Sequence, residues 1–163
     1  GCGKSTMFVM KNYKIPIYSV DTSKFWIDKI QKENNDVLNI KHIDLGEIGN
    51  WGRPKSYKYR NNFLDYINWI WEQKLKPNVI LIDGRFRVYV AIQVIIFCIK
   101  NIYNKETIII IDDFKFRKEY HILKKLIKIK LVGRFGVIKI TKKNKINFNI
   151  AKKLSDEFIL YHL

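Results

Sequence analysis

Asp21, Asp44, Asp83 and the pair Asp112/Asp113 each close a short apolar run, and a glycine-spaced hexapeptide, Gly1-Cys2-Gly3-Lys4-Ser5-Thr6, stands ahead of the first of them. In a doubly wound α/β sheet the ligand sits beyond the carboxyl ends of the strands, so acids there are placed to do chemistry. A glycine turn that opens a helix lets the backbone approach a ligand and faces it with the helix N-terminus. Asp21 follows that turn at about 20 residues, the distance at which such folds place the carboxylate for a ribose diol. It also suits a helix-capping acid ahead of Thr22-Ser23. Asp44 fits either the adenine side of the same ligand or the entry to a loop. Gly3-Lys4-Ser5 equally matches the end of a phosphate-binding loop, in which Lys reaches phosphates and the hydroxyl holds Mg²⁺. That motif needs another Gly five residues before Gly3, ahead of the first residue here.

The elements that must hold these residues alternate. Ser5–Asn12 predicts a short helix after the glycine turn, and Ile15–Val20 a strand closing on Asp21. Ser23 is placed to cap a helix over Lys24–Lys32, with Phe25, Trp26 and Ile30 on its inner side. Val37–Ile43 predicts the next strand, and the glycine-rich stretch 46–54 a functional loop or lid before an aromatic helix from about Tyr59 to Gln73. Val79–Ile82 and Thr107–Ile111 read as central parallel strands buried on both faces, with a long apolar helix over Val88–Asn101 between them. Lys118–Lys128 predicts an amphipathic helix, Gly133–Gly136 a turn into a last strand over Val137–Ile140, and Asn147–Leu163 a helical tail. No repeat, linker or second domain is visible, so residues 1–163 are expected to form one domain, with 141–163 a basic C-terminal tail.

Composition narrows the partners. The 163 residues are 47% hydrophobic and 14% aromatic, enough for a sizeable core. A net charge of +16 suits nucleic acid, anionic lipid or an acidic substrate. Lys115–Lys153 is the persistently basic stretch, readable as a polyanion groove or as a solvated face. Cys98 lies in an apolar run that predicts a buried thiol, and two distant cysteines give neither a disulfide framework nor a zinc spacing. The longest apolar stretch, Val88–Ile99, is too short to span a bilayer. A cytoplasmic location is expected. His42 and His121 lack partners at metal spacing, and Trp69 and Trp71 suit packing better than base stacking.

Together the runs Gly1–Thr6, Ser19-Val20-Asp21, Asp44-Leu45-Gly46 through Trp51-Gly52-Arg53-Pro54, Leu81–Arg87 and Ile111–Phe114, with Arg117 and Tyr120, resemble a bacterial-type methyltransferase-like family of the class I, S-adenosylmethionine-dependent fold. The resemblance runs from residue 1 to about Ile140, and Asp83-Gly84-Arg85-Phe86-Arg87 and Trp51-Gly52-Arg53-Pro54 are its most specific parts. It implies a Rossmann-like three-layer α/β sandwich, with a mostly parallel seven-stranded sheet, an antiparallel last strand and a first strand ahead of Gly1. It implies that Gly1, Gly3 and Ser5 in the turn, with Asp21 on the ribose hydroxyls and Asp44 beyond, hold S-adenosylmethionine. Lys4 stands where family members more often carry Gly. Asp83 would act as base or acceptor-orienting residue, with Arg85 and Arg87 binding an anionic small molecule or sugar through bidentate hydrogen bonds. Asp83, Asp112 and Asp113 are also similar to the acidic cluster of divalent-metal-dependent O-methyltransferases, which suits Mg²⁺.

Two rival functions fit parts of the same sequence. A P-loop NTPase would use Gly3-Lys4-Ser5 with Asp83 or Asp112/Asp113 as its Walker B acid, but leaves Asp21 and the Asp83–Arg87 stretch without a role. A catalytically inactive basic domain would bind nucleic acid in a strongly salt-dependent way and bind no cofactor.

Overall fold

The alternation of helix and strand that the apolar runs predict is what the chain adopts in a computed structural model, which describes residues 1–32, 38–101 and 106–159. Its contacts divide between two units, Gly1–Leu75 and Lys76–Leu163.

The first unit contains α1 (Lys4–Asn12), β1 (Ile17–Asp21), α2 (Lys24–Gln31), β2 (Leu38–His42) and α3 (Asn61–Glu72). β1 begins at Ile17 rather than Ile15 because Pro16, with no N–H, cannot donate to a ladder. Ser23 caps α2 as expected, its Oγ accepting from the Trp26 N–H at 3.4 Å. β1 and β2 pair in parallel from Ile17 opposite Leu38 to Asp21 opposite His42. Val37, expected to start β2, lies outside the described residues. Cys2, Met10, Ile27 and Ile30 form a buried cluster, with Met7, Ile17, Trp26, Leu38 and Ile40 packed on it. That cluster joins α1 and α2 to the β1–β2 pair. At about 1.5–3 kcal/mol per large apolar side chain buried, it is what keeps the glycine turn next to the end of β1.

The stretch after β2 is a small ordered hairpin. Lys55 N–H donates to Glu47 O at 2.9 Å and Gly49 N–H to Arg53 O at 2.7 Å, with Ile48 bridged to Pro54. Its tip carries Trp51 in the left-handed region at φ 61°, 90% exposed. Gly46, at φ +83°, admits no side chain, since a Cβ there would lie 2.5 Å from the Tyr59 ring.

The second unit contains β3 (Val79–Ile82), α4 (Arg87–Lys100), β4 (Thr107–Ile111), a 3₁₀ helix (Lys118–Lys125), β5 (Lys130–Val132), β6 (Phe135–Ile140) and α5 (Phe148–Phe158). The strand order is β3-β4-β6-β5. β3 and β4 are parallel, whereas β6 runs antiparallel to both β4 and β5. Hydrogen bonding therefore gives a mixed four-stranded sheet and a parallel pair, not the mostly parallel sheet expected. Beyond the expected antiparallel last strand, β5 adds a second antiparallel pairing, because the tight turn at Gly133-Arg134 returns the chain alongside itself. β3 differs from expectation too: Val79 and Leu81 are exposed on one face while Ile82 is buried on the other.

α4 buries Val88, Ala91, Ile92, Val94, Ile95 and Cys98. α5 packs along α4, with Gln93 Nε2 donating to buried Ser155 Oγ at 3.0 Å, and Asn147 caps it by accepting from Asn149 and Ile150 N–H. The last four residues of the expected tail helix lie outside the described residues. Both cysteines are buried and without a disulfide; burial pushes the Cys2 thiol up to about 12 and the Cys98 thiol up to about 11. Among the described residues no helix is long and apolar enough to cross a membrane.

Candidate functional site

In the first unit the glycine turn and Asp21 are joined directly. Asp21 Oδ2 accepts from Cys2 N–H at 2.6 Å and Oδ1 accepts from Ser23 N–H at 2.7 Å. Ser19 Oγ donates to Gly1 O at 3.2 Å, a second stitch between the turn and β1. Each carboxylate oxygen has about two acceptor sites, so one backbone donor apiece leaves both able to accept another hydrogen bond. Asp21 thus orders the entry to α2, the capping role foreseen for it, and also lies beside the turn. Gly3 is extended and precedes α1; a Cβ built on it meets nothing within 4 Å, so open space adjoins the helix N-terminus. Lys4, the first residue of α1, is exposed, and Ser5 is half-buried. Asp44 is exposed and turned on its own loop, its Oδ1 accepting from Gly46 N–H at 2.8 Å. Gly52 brings the hairpin tip near the same strand end, where an added Cβ would lie 3.3 Å from Thr22 Oγ1.

In the second unit β3 and β4 end in turns that bring Asp83, Asp112 and Asp113 around one guanidinium. Arg87 is 7% exposed. Its Nε donates to Gly84 O at 3.0 Å and its Nη1 to Asp112 O at 3.1 Å and Asp113 Oδ2 at 3.3 Å, while Nη2 lies 3.0 Å from Asp83 Oδ1. Arg87, one turn after Asp83 at the start of α4, is directed at protein acceptors. Arg85, half-buried, lies with Arg87 and Arg117 near enough to Tyr120 to work against the burial that raises that phenol. Burial also raises the Asp83 carboxyl above the ordinary carboxylate value; Arg87 opposes this and the Asp112 carboxylate adds to it.

Arg134 is the residue the linear sequence did not single out. It sits in the β5–β6 turn, and β6 is registered so that Ile111 faces Gly136. That register carries the turn to the end of β4, where Arg134 Nη2 donates to Asp112 Oδ2 at 2.7 Å and Nε lies 2.7 Å from Oδ1. The Nε contact is a charge pair without hydrogen-bond alignment, and a third arm reaches Asp113 Oδ1 at 3.8 Å. An Arg between two glycines, opposite an Asp-Asp strand end, was the available signal. Two non-glycine residues at these strand ends, Phe86 (φ 56°) and Asp113 (φ 57°), adopt the left-handed region. Phe86 is wholly buried, and packing of this kind is what holds a bulky residue in such a conformation. Gly136 is required beside this site, because a Cβ there would lie 2.5 Å from the Phe114 ring.

The acids do not fit a metal. Among the described residues no group of three His, Cys, Asp or Glu side chains is arranged to hold one, and the carboxylates of Asp83, Asp112 and Asp113 are already met by guanidinium groups.

Helices alternating with strands, acids at the strand ends and an antiparallel β5–β6 hairpin make this an α/β protein. The chain is similar to the crystal structure of a methyltransferase-like protein from Silicibacter pomeroyi DSS-3, with 22% identity over 87% of this chain and 75% of that one, at a TM-score of 0.65. No family model and no curated protein matches the sequence.

Proposed function

We propose that the chain is an S-adenosylmethionine-dependent methyltransferase acting on an anionic acceptor. The observation that carries this reading is the Asp21 carboxylate, drawn onto the glycine turn by the 2.6 Å bond from Cys2 N–H beside the open space at Gly3. The likeness in fold supports it. Gly1, Gly3, Ser5 and Asp21 would hold the methyl donor, with Asp21 accepting from the ribose hydroxyls and Asp44 shaping the neighbouring loop. When bound, the donor supplies an activated methyl group whose leaving group is built in. The protein then has to align the acceptor and, for a hydroxyl, take its proton.

Asp83 is the group for that proton, since its carboxyl is raised by burial and by Asp112. Arg87 is a positioning residue that fixes Asp83 and Asp113, and Arg85 is assigned to the acceptor. Calorimetric titration with S-adenosylmethionine, S-adenosylhomocysteine and ATP tests the reading: the first two are expected to bind, and ATP binding alone would establish the phosphate-loop alternative instead.

Asp83 also sets a pH signature. A carboxyl raised by folding favours the protonated folded state, so its contribution to stability is full below the unfolded pKa and lost as pH rises through the folded one. Urea midpoints are therefore expected to carry a falling component between the ordinary carboxylate pKa and the raised value, and Asp83→Asn to remove it. The slope is the readout, because Asp83→Asn also removes one Arg87 contact. An unchanged slope would show that Asp83 titrates normally.

A further inference from the structure

We propose that the anionic acceptor is a single-stranded nucleic acid, held at the carboxyl end of β4 by a cationic rim and an exposed aromatic ring. This deepens the methyltransferase reading and rests on it. Between Lys115 and Lys153 the sole acid is Glu119. The first part of that basic stretch is folded around Asp112 and Asp113. Phe116 N–H and Arg117 N–H both donate to Asp113 O, at 3.0 and 3.1 Å, so the left-handed turn at Asp113 sets the direction of the residues after it. Lys115 N–H donates to Arg134 O at 3.1 Å, which joins this loop to the hairpin turn. Lys124 Nζ lies 5.8 Å from the centre of the Phe114 ring. Lys115, Arg117, Lys124 and Arg134, each tied to this region by the contacts above, are all exposed, as is the neighbouring Lys118.

Within that rim Phe116 is 68% exposed, with Lys115 Nζ 5.8 Å from its ring centre. A large apolar ring held out by a hydrogen-bonded turn among cations combines the two elements of single-strand recognition, backbone charge neutralisation and base stacking. The chemistry favours nucleic acid over an anionic bilayer. A peripheral membrane helix needs a continuous exposed apolar face, whereas Tyr120 and Leu123 of the adjoining 3₁₀ helix are buried; the exposed apolar groups here are Phe116 on its loop and Leu131 and Val132 on the short strand β5.

Fluorescence anisotropy of a labelled single-stranded RNA oligonucleotide of mixed sequence, with its DNA counterpart and the matching duplex, tests this without any methyl donor. Failure here and failure of the donor titration are therefore separate results. Affinity for a single strand is expected to fall steeply with salt and to exceed that for the duplex. Phe116→Ala is expected to weaken single-strand binding about tenfold with the salt slope unchanged, whereas Lys115→Glu with Lys124→Glu should flatten the slope. The control is charge reversal at Lys142 and Lys143, which follow Ile140 at the other end of the β4–β6 pair. An equal loss in that control, no effect of Phe116→Ala, duplex preference, or co-sedimentation with phosphatidylserine vesicles without oligonucleotide binding would each overturn the proposal.

Discussion

Asp21→Ala is expected to weaken binding of S-adenosylmethionine and S-adenosylhomocysteine about a hundredfold, read by calorimetry on a variant whose fold is checked by thermal melting. Two hydrogen bonds from ribose hydroxyls to a carboxylate are each worth about 1.5–3 kcal/mol, and losing both exceeds that factor before any relaxation of the turn. The same substitution releases Cys2 N–H and Ser23 N–H, so the glycine turn loses its tie to β1. Asp21→Asn keeps an acceptor oxygen but not the charge, and about a tenfold loss is expected. Undiminished affinity in folded Asp21→Ala would refute the ribose assignment.

Arg87→Met should destabilise the second unit by about 3–5 kcal/mol, the usual penalty for removing one partner of a buried charge network. The thioether approximates the volume of the stem but meets none of the four acceptors, Gly84 O, Asp112 O, Asp113 and Asp83. Arg87→Lys keeps a charge yet cannot span acceptors contributed by two strand ends, so an intermediate loss is expected. Urea denaturation measures both. A loss under about 1 kcal/mol for Arg87→Met would mean that Arg134 and solvent suffice for the acids.

The acidic strand ends were legible because β3 and β4 are each a continuous apolar run, even where one face of β3 is exposed, and an acid after such a run marks its exit. Val79–Ile82 and Thr107–Ile111 fall where the runs place them. The helix expected over Lys118–Lys128 is instead a 3₁₀ helix ending at Lys125, and here the spacing held the answer. Tyr120, Leu123 and Leu126 recur every three residues and all are buried, which matches three residues per turn better than 3.6. The strand expected from Val137 starts at Phe135, because Gly136, a turn former by type, serves as a close-approach position under the Phe114 ring. Arg87 read as a substrate anchor because its position after Asp83 says nothing of depth. Only the register of β4 against β6 reveals that Arg134, far along the chain, shares the same acids.

The two thiols carry a consequence for how the chain can be followed in solution. One lies in each unit, Cys2 in Gly1–Leu75 and Cys98 in Lys76–Leu163, and both are buried. Burial raises both thiols and keeps them from solvent, so alkylation of native protein is expected to be slow. Modification then requires local opening, and mass-resolved labelling separates the opening of one unit from that of the other. The cysteines act as built-in clocks, each timing how often its own surroundings open, the glycine turn for Cys2 and α4 for Cys98.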